Sequence, residues 1–148
     1  MASTLTKLLF HFVFSTKERT GLITDELESN LYPYIGGVIR GERGDPIAIG
    51  GTKDHLHILA GLPTTISIAE MLRRIKGNSS KWVGDQYRFA FAWQRGYAAF
   101  SVSQSLAGKV RRYVQNQKEH HKKVPFQDEL ILLLDKHGVE YDQRYIWD

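Results

Sequence analysis

Two histidines separated by one residue form the first group in this chain that could carry out chemistry. They lie in the segment Asp54-His55-Leu56-His57, directly after the turn-forming residues 50–54. Side chains two positions apart on a β-strand project from one face, so His55 and His57 should point together. Two neighbouring imidazoles can hold one divalent cation. A pair of hydrogen-bonded surface histidines would give the same short pattern, so the pair alone leaves both interpretations open.

A tyrosine and a glutamine spaced four residues apart form the second group. Tyr113 and Gln117 lie in the segment 113–117, within a helix predicted from 106 to about 122. Positions four apart lie about 40° apart around a helix axis, so the two side chains share a face. The phenol offers a nucleophilic oxygen, and the amide oxygen is a hard ligand acceptable to magnesium or manganese. A core tyrosine beside a solvent-facing glutamine is the simpler interpretation of this pair on its own.

Together, the two groups describe a site for phosphoryl transfer. A metal held by His55, His57 and Gln117 would act as a Lewis acid and orient a scissile phosphate. A tyrosine has a reference pKa of about 10, so Tyr113 would be protonated near neutral pH. It needs a nearby cation or proton acceptor to become a good nucleophile. Attack would give a covalent phosphotyrosine that preserves the phosphodiester energy for rejoining.

Basic residues surround the predicted nucleophile. The net charge is +4, and residues 106–123 hold six lysines and arginines against one acidic residue, Glu119. Such a block indicates a polyanion partner, although a solvated helix face is the alternative. Five basic side chains are therefore predicted to contact DNA phosphates, namely Arg73, Lys76 and Lys81 in the second helix region and Lys109 and Arg112 beside Tyr113.

Composition limits the other possibilities. The chain contains no cysteine, which excludes disulfides, thiolate zinc sites and cysteine nucleophiles. Its 148 residues suit one domain, predicted to span 1–148. The apolar stretch Leu8 to Phe14 is too short to span a bilayer, and no small-residue cleavage site follows it. We therefore expect a cytoplasmic protein without a membrane partner.

Periodicity and turn residues predict an α+β chain. Helices are expected at 24–41, from Ser67 to about 84, from 106 to about 122 with Ser103 or Ser105 as N-cap, and at 127–137. Strands are expected at 5–15, 46–50 and 55–61, with one or two more in 89–102 and a tail over the last ten residues. This order is that of a ferredoxin-like antiparallel sheet with flanking helices. Helices on one side would leave the other face, or a crevice, for a site.

These motifs resemble the single-tyrosine HUH transposases of the insertion-sequence-200 type, including the related transposases associated with repetitive palindromes. His55-Leu56-His57 matches the histidine–hydrophobic–histidine motif, and Tyr113 followed by Gln117 matches the nucleophile helix. Further segments that look like the family are 76–82, 93–97, 100–103 and 117–121. The resemblance runs from about His11 to Trp147, nearly the whole chain.

The resemblance implies a specific activity. Members of the family that it resembles are homodimers with two composite active sites, in which the histidine pair of one subunit faces the tyrosine helix of the other. Magnesium or manganese is the cofactor, and single-stranded DNA with imperfect hairpins is the substrate. Cleavage leaves a 5′-phosphotyrosine, here on Tyr113, and a free 3′-hydroxyl. One sequence leaves open whether the tyrosine helix docks in cis or in trans.

Two other functions fit parts of the pattern. A domesticated nuclease acting on chromosomal hairpins would use the same chemistry, and flanking genomic DNA would distinguish it from a mobile element. A non-catalytic single-strand nucleic-acid-binding module has no need of a histidine pair together with a tyrosine.

Three further side chains have less specific expected roles. His11 is predicted to be a satisfied core residue. His121 could assist proton transfer or contact phosphate, but a structural or interface role is predicted for it. Asp54 could hydrogen-bond a neighbouring group or supply a further metal ligand, but direct pairing with the two histidines is not predicted because strand parity places it on the other face.

Overall fold

Four antiparallel strands form one sheet in the computed structural model, which describes residues 3–148. The strands are β1 (Leu9–Ser15), β2 (Asp45–Gly51), β3 (His55–Gly61) and β4 (Ala98–Val102), in the spatial order β2-β3-β1-β4. This is the ferredoxin-like order expected from the sequence. The first two residues of the predicted domain 1–148 lie outside the described residues.

Two long helices cover one face of the sheet. These are α1 (Asp25–Gly41) and α2 (Ile68–Tyr87), and each begins after a side-chain cap. The Thr24 hydroxyl accepts a hydrogen bond from the Leu27 N–H, and Ser67 does the same for Glu70. Both predicted helices are confirmed, and α2 continues three residues beyond the predicted end. The main core lies between these helices and the sheet.

Three shorter helices lie on the opposite face: α3 (Ala107–Gln115), α4 (Gln117–His120) and α5 (Phe126–Lys136). The prediction of one helix from 106 to about 122 was wrong, because the backbone leaves helical geometry at Asn116 (φ −102°, ψ 23°). The predicted caps Ser103 and Ser105 make no capping bond, since their hydroxyls bond each other at 3.0 Å. The second face is thus covered, and the crevice lies beneath α3 and α5.

The remaining segments also differ from expectation. Residues 89–102 contribute the single strand β4, while Trp93 forms only an isolated bridge with Thr16. The predicted tail packs back, because Trp147 joins the apolar cluster around Phe126 and the Gly96 N–H donates to the carbonyl of Asp148 at 3.0 Å. Within residues 3–148, no helix is long and apolar enough to cross a membrane.

Helix α3 lies unusually close to the sheet. Val114 is fully buried against Ala48 and Leu59. The approach is possible because β2 has a glycine at the contact point. A Cβ atom on Gly50 would lie 1.9 Å from the carbonyl oxygen of Val114, which is backbone and has little freedom to move.

We predict that Gly50→Ala displaces α3 and lowers the free energy of unfolding by about 1–3 kcal/mol, the usual cost of overpacking. Urea denaturation measures this loss. The matched control is Gly37→Ala within α1, where an added Cβ meets nothing within 4 Å. The control should be neutral or stabilising because alanine favours helix over glycine by about 1 kcal/mol. Equal stability of the two variants would contradict the close approach of α3.

Candidate active site

Strand β3 positions the two histidines. His55 and His57 are fully buried on the face opposite the main core. Leu56, which lies between them, and Ile58, which follows them, enter that core. This is the alternation that the sequence predicts for a strand. The register pairs His57 with Val13 and His55 with Ser15 of β1, so both histidines lie on a central strand, with His55 as its first residue.

The carboxylate of Glu129, brought by α5, lies against this histidine pair and is 2% exposed. Its Oε1 atom accepts hydrogen bonds from His57 Nε2 and from His121 Nε2, both at 2.9 Å. The same oxygen lies 3.7 Å from His55 Nε2. Burial by itself would raise the pKa of Glu129, but the hydrogen bonds from His121 and His57 hold it well below its usual range.

The second carboxylate oxygen faces the nucleophile predicted from the sequence. Oε2 of Glu129 accepts a hydrogen bond from the Tyr113 hydroxyl and another from Gln117 Nε2 at 3.2 Å. Burial, together with the bond to Glu129, raises the pKa of Tyr113 above its ordinary value. His120 Nε2 lies 3.3 Å from the same oxygen. One carboxylate therefore joins the histidine pair to the tyrosine within a single chain.

The outer nitrogens of the histidine pair are also bound. His57 Nδ1 lies 2.8 Å from Nε2 of His11, which is buried as predicted but bonds to the pair itself. Burial lowers the pKa of His11 to about 3 and that of His57 to about 4. Repulsion from neighbouring histidines acts in the same direction on both pKa values. Neutral imidazoles each have one donor and one acceptor, so His11 sets the orientation and tautomer of His57.

His55 is oriented by its neighbour in sequence. The Asp54 carboxylate lies 2.8 Å from His55 Nδ1, so the prediction that Asp54 would not pair with the histidines was wrong. The reason is that Asp54 precedes the first residue of β3, and the parity of the strand does not extend to it. Thr52 Oγ1 also donates to this carboxylate at 3.0 Å.

The inner atoms of the site match the needs of a divalent cation. His55 Nε2 faces Gln117 Oε1 at 3.2 Å and Glu129 Oε1 at 3.7 Å. In the tautomer that carries its proton on Nδ1, beside Asp54, this nitrogen presents a lone pair. Three acceptor atoms that face each other repel, and a bound cation would stabilise this arrangement. Ligand atoms of His55, His57, His121 and Glu129 all lie within 4.8 Å of one another. Imidazole, carboxylate and amide ligands together can hold a divalent cation.

Two of these residues were missed by the sequence analysis in this role. Glu129 lies three residues after Phe126 and directly before Leu130, on the buried stripe of α5. A charged residue on the apolar face of a helix is a usable signal of a buried polar site. His121 was predicted to be structural, but its Nε2 atom lies within the site.

The predicted DNA contacts lie in two places. Lys109 and Arg112 are exposed on α3 beside Tyr113. Arg73 and Lys81 are exposed on α2, in the helical layer on the other face of the sheet, and Arg73 pairs with Glu70 at 2.6 Å.

Lys76 of α2 is bound within the protein. Its Nζ atom donates to the carbonyls of Gln94, Arg95 and Gly96 at 3.0, 3.3 and 2.5 Å. Burial lowers the pKa of Lys76 to about 8. The ammonium group thus holds the loop before β4, and its contact with DNA stays a prediction.

Comparison with known proteins gives the family. The family model described as "Transposase IS200 like" matches residues 4–117, well over half of the chain. The chain belongs to this family. It is 25% identical over 129 residues to the transposase for insertion sequence element IS200 of Salmonella typhimurium strain LT2, covering 82% of this chain and 84% of that protein. The corresponding Salmonella typhi transposase gives the same values.

Two solved structures share the fold. A candidate transposase from Deinococcus radiodurans R1 has a TM-score of 0.65 at 20% identity, covering 79% of this chain and 95% of that one. A REP-associated tyrosine transposase bound to a REP hairpin has a TM-score of 0.55 at 17% identity, covering 77% and 67%. The family match includes the histidine pair, Tyr113 and Gln117, and it ends before His121 and Glu129.

We predict that Lys76→Met lowers the free energy of unfolding by about 1.5–3 kcal/mol, because hydrogen bonds to a charged group are lost. Lys81→Met is the matched control, since it removes the same charge from an exposed position of the same helix. Its effect should stay within about 0.5 kcal/mol. Urea denaturation of both variants checks this, and an equal loss in both would show that Lys76 does not anchor the loop.

Proposed function

We propose that this transposase cuts and rejoins single-stranded DNA through a 5′-phosphotyrosine on Tyr113. The observation that carries the proposal is the meeting of Tyr113 with His55 and His57 around one buried carboxylate. A tyrosine in a packed core has no need of two buried histidines and an amide oxygen facing one another. Hairpin DNA is the substrate class, since the REP-associated neighbour is described as bound to a REP hairpin.

The metal is magnesium or manganese, and His55, His57 and Gln117 would hold it. When bound, the ion supplies Lewis-acid stabilisation of charge on the phosphate oxygens. The Tyr113 oxygen forms the new bond to phosphorus as the bond to the 3′-oxygen breaks. The phenol proton leaves along its hydrogen bond to Glu129 Oε2, and the departing 3′-oxygen takes up a proton. Rejoining reverses these steps with another 3′-hydroxyl.

Basic side chains would hold the strand on both sides of the break. Lys109 and Arg112 lie within about one helical turn of Tyr113 and can neutralise the phosphates that flank the scissile one. Arg73, Lys76 and Lys81 are too far from Tyr113 in the fold to share this task, since α2 packs on the other face of the sheet. Their contact would be with a more distant part of the DNA, such as the hairpin stem.

We predict that Tyr113→Phe abolishes the covalent complex and leaves DNA affinity within about twofold, because only the nucleophilic oxygen is removed. The measurement uses labelled single-stranded hairpin DNA with magnesium or manganese, resolved on denaturing gels. Strand joining retained in the variant would defeat the nucleophile assignment. If the unaltered protein forms no complex even with its natural flanking DNA, the non-catalytic binding module becomes the better function.

The homodimer with composite sites is the expectation from the family. In this chain α3 lies against its own sheet, which supports docking of the tyrosine helix in cis. We therefore predict that mixing Tyr113→Phe with His57→Ala restores no cleavage, because neither chain then has an intact site. Each variant alone should also be inactive. Cleavage recovered on mixing would show that the tyrosine helix is exchanged between subunits.

A further inference from the structure

Glu129 lies beyond the last residue of the family match, and the metal set proposed above does not include it. We propose that Glu129 is itself a ligand of the divalent cation through Oε1, while its Oε2 atom positions the Tyr113 hydroxyl. The first half stands on the geometry of this chain alone. The second half rests on the proposed function, because it concerns the nucleophile.

The two carboxylate oxygens face different partners. Oε1 lies 2.9 Å from His57 Nε2 and 3.7 Å from His55 Nε2, on the histidine side of the site. Oε2 lies on the opposite side, where it accepts from the Tyr113 hydroxyl and from Gln117. A carboxylate can bind a metal through one oxygen and accept a hydrogen bond through the other. A bound metal would replace the hydrogen bond between His57 Nε2 and Oε1, and the donors to Oε2 would stay in place.

The surroundings of Glu129 favour a bound cation. The side chain is 2% exposed, and an isolated charge in such a place is strongly disfavoured unless it is paired. Within residues 3–148, no lysine or arginine forms an ion pair with this carboxylate, and its ion-pair partners are histidines. Two imidazoles and one carboxylate form a ligand set that binds first-row divalent metals and leaves coordination positions for phosphate oxygens.

Gln117 supports the orientation of the Glu129 carboxylate. Its Nε2 atom donates to Glu129 Oε2 at 3.2 Å and to the Tyr113 carbonyl at 3.3 Å. These two bonds fix the amide so that its oxygen faces His55. Gln117 thus holds the carboxylate in the orientation that presents Oε1 to the histidine pair.

The test measures manganese binding to the full chain without DNA, by isothermal titration calorimetry. Glu129→Gln keeps the shape of the side chain and removes its charge, so manganese affinity should fall about tenfold or more. Asp128→Asn is the matched control, because it removes the same charge from the neighbouring exposed position of α5. Its affinity should stay within twofold. A Glu129→Gln affinity within twofold of the unaltered protein would overturn the ligand assignment.

Folding is followed by thermal denaturation of each metal-free variant. If Glu129→Gln does not fold, Glu129→Asp replaces it, since it keeps the charge and withdraws the oxygens by one methylene. A loss of affinity of threefold or more in that variant supports the proposal, and an unchanged affinity overturns it.

The positioning half is tested at saturating manganese, where metal occupancy no longer differs. The rate of covalent-complex formation by Glu129→Gln should remain at least tenfold slower than that of the unaltered protein. A rate equal to the unaltered one would remove the positioning role and leave the metal role intact. Failure of the unaltered protein to form any complex would overturn the proposed function, while the binding data would still decide the ligand assignment.

Discussion

The strict alternation of side chains along β3 is the constraint on which the site depends. Leu56, Ile58 and Ala60 enter the main core, and His55 and His57 project from the other face of the same strand. The strand lies between β2 and β1, so its backbone is hydrogen-bonded on both sides. A shift of one residue in register would exchange the two faces and bury the histidines among the helices α1 and α2. The apolar core therefore fixes where the imidazoles point.

Signals that act over a few residues were sufficient for much of this fold. The helical spacing in residues 24–41, the helix start at Ser67 and the alternation in β3 all predicted elements that the structure contains. Strand order followed from element order, because a split βαβ chain has few ways to pair its strands. In the site, the shared face of His55 and His57 was predictable for the same reason.

The features that the sequence did not predict depend on contacts between residues distant in sequence. His57 and Glu129 are 72 positions apart, and no local pattern places α5 above β3. The break at Asn116 separates two segments of good helical composition, and packing of Val114 on the sheet accompanies it. Three carbonyls of a loop 18 to 20 residues away surround the ammonium group of Lys76, a contact that the sequence did not predict. Tertiary structure decides such cases against local propensity.

The side chains of the site differ greatly in their exposure to solvent. His55, His57 and Glu129 are between 0% and 2% exposed, while the His120 side chain is 30% exposed and Tyr113 is half-buried. A polynucleotide is far wider than an ion, and Tyr113 and His120 are the more exposed groups of the site. The site is therefore graded from a buried interior, which admits only small species, to an exposed edge where the proposed nucleophile Tyr113 lies.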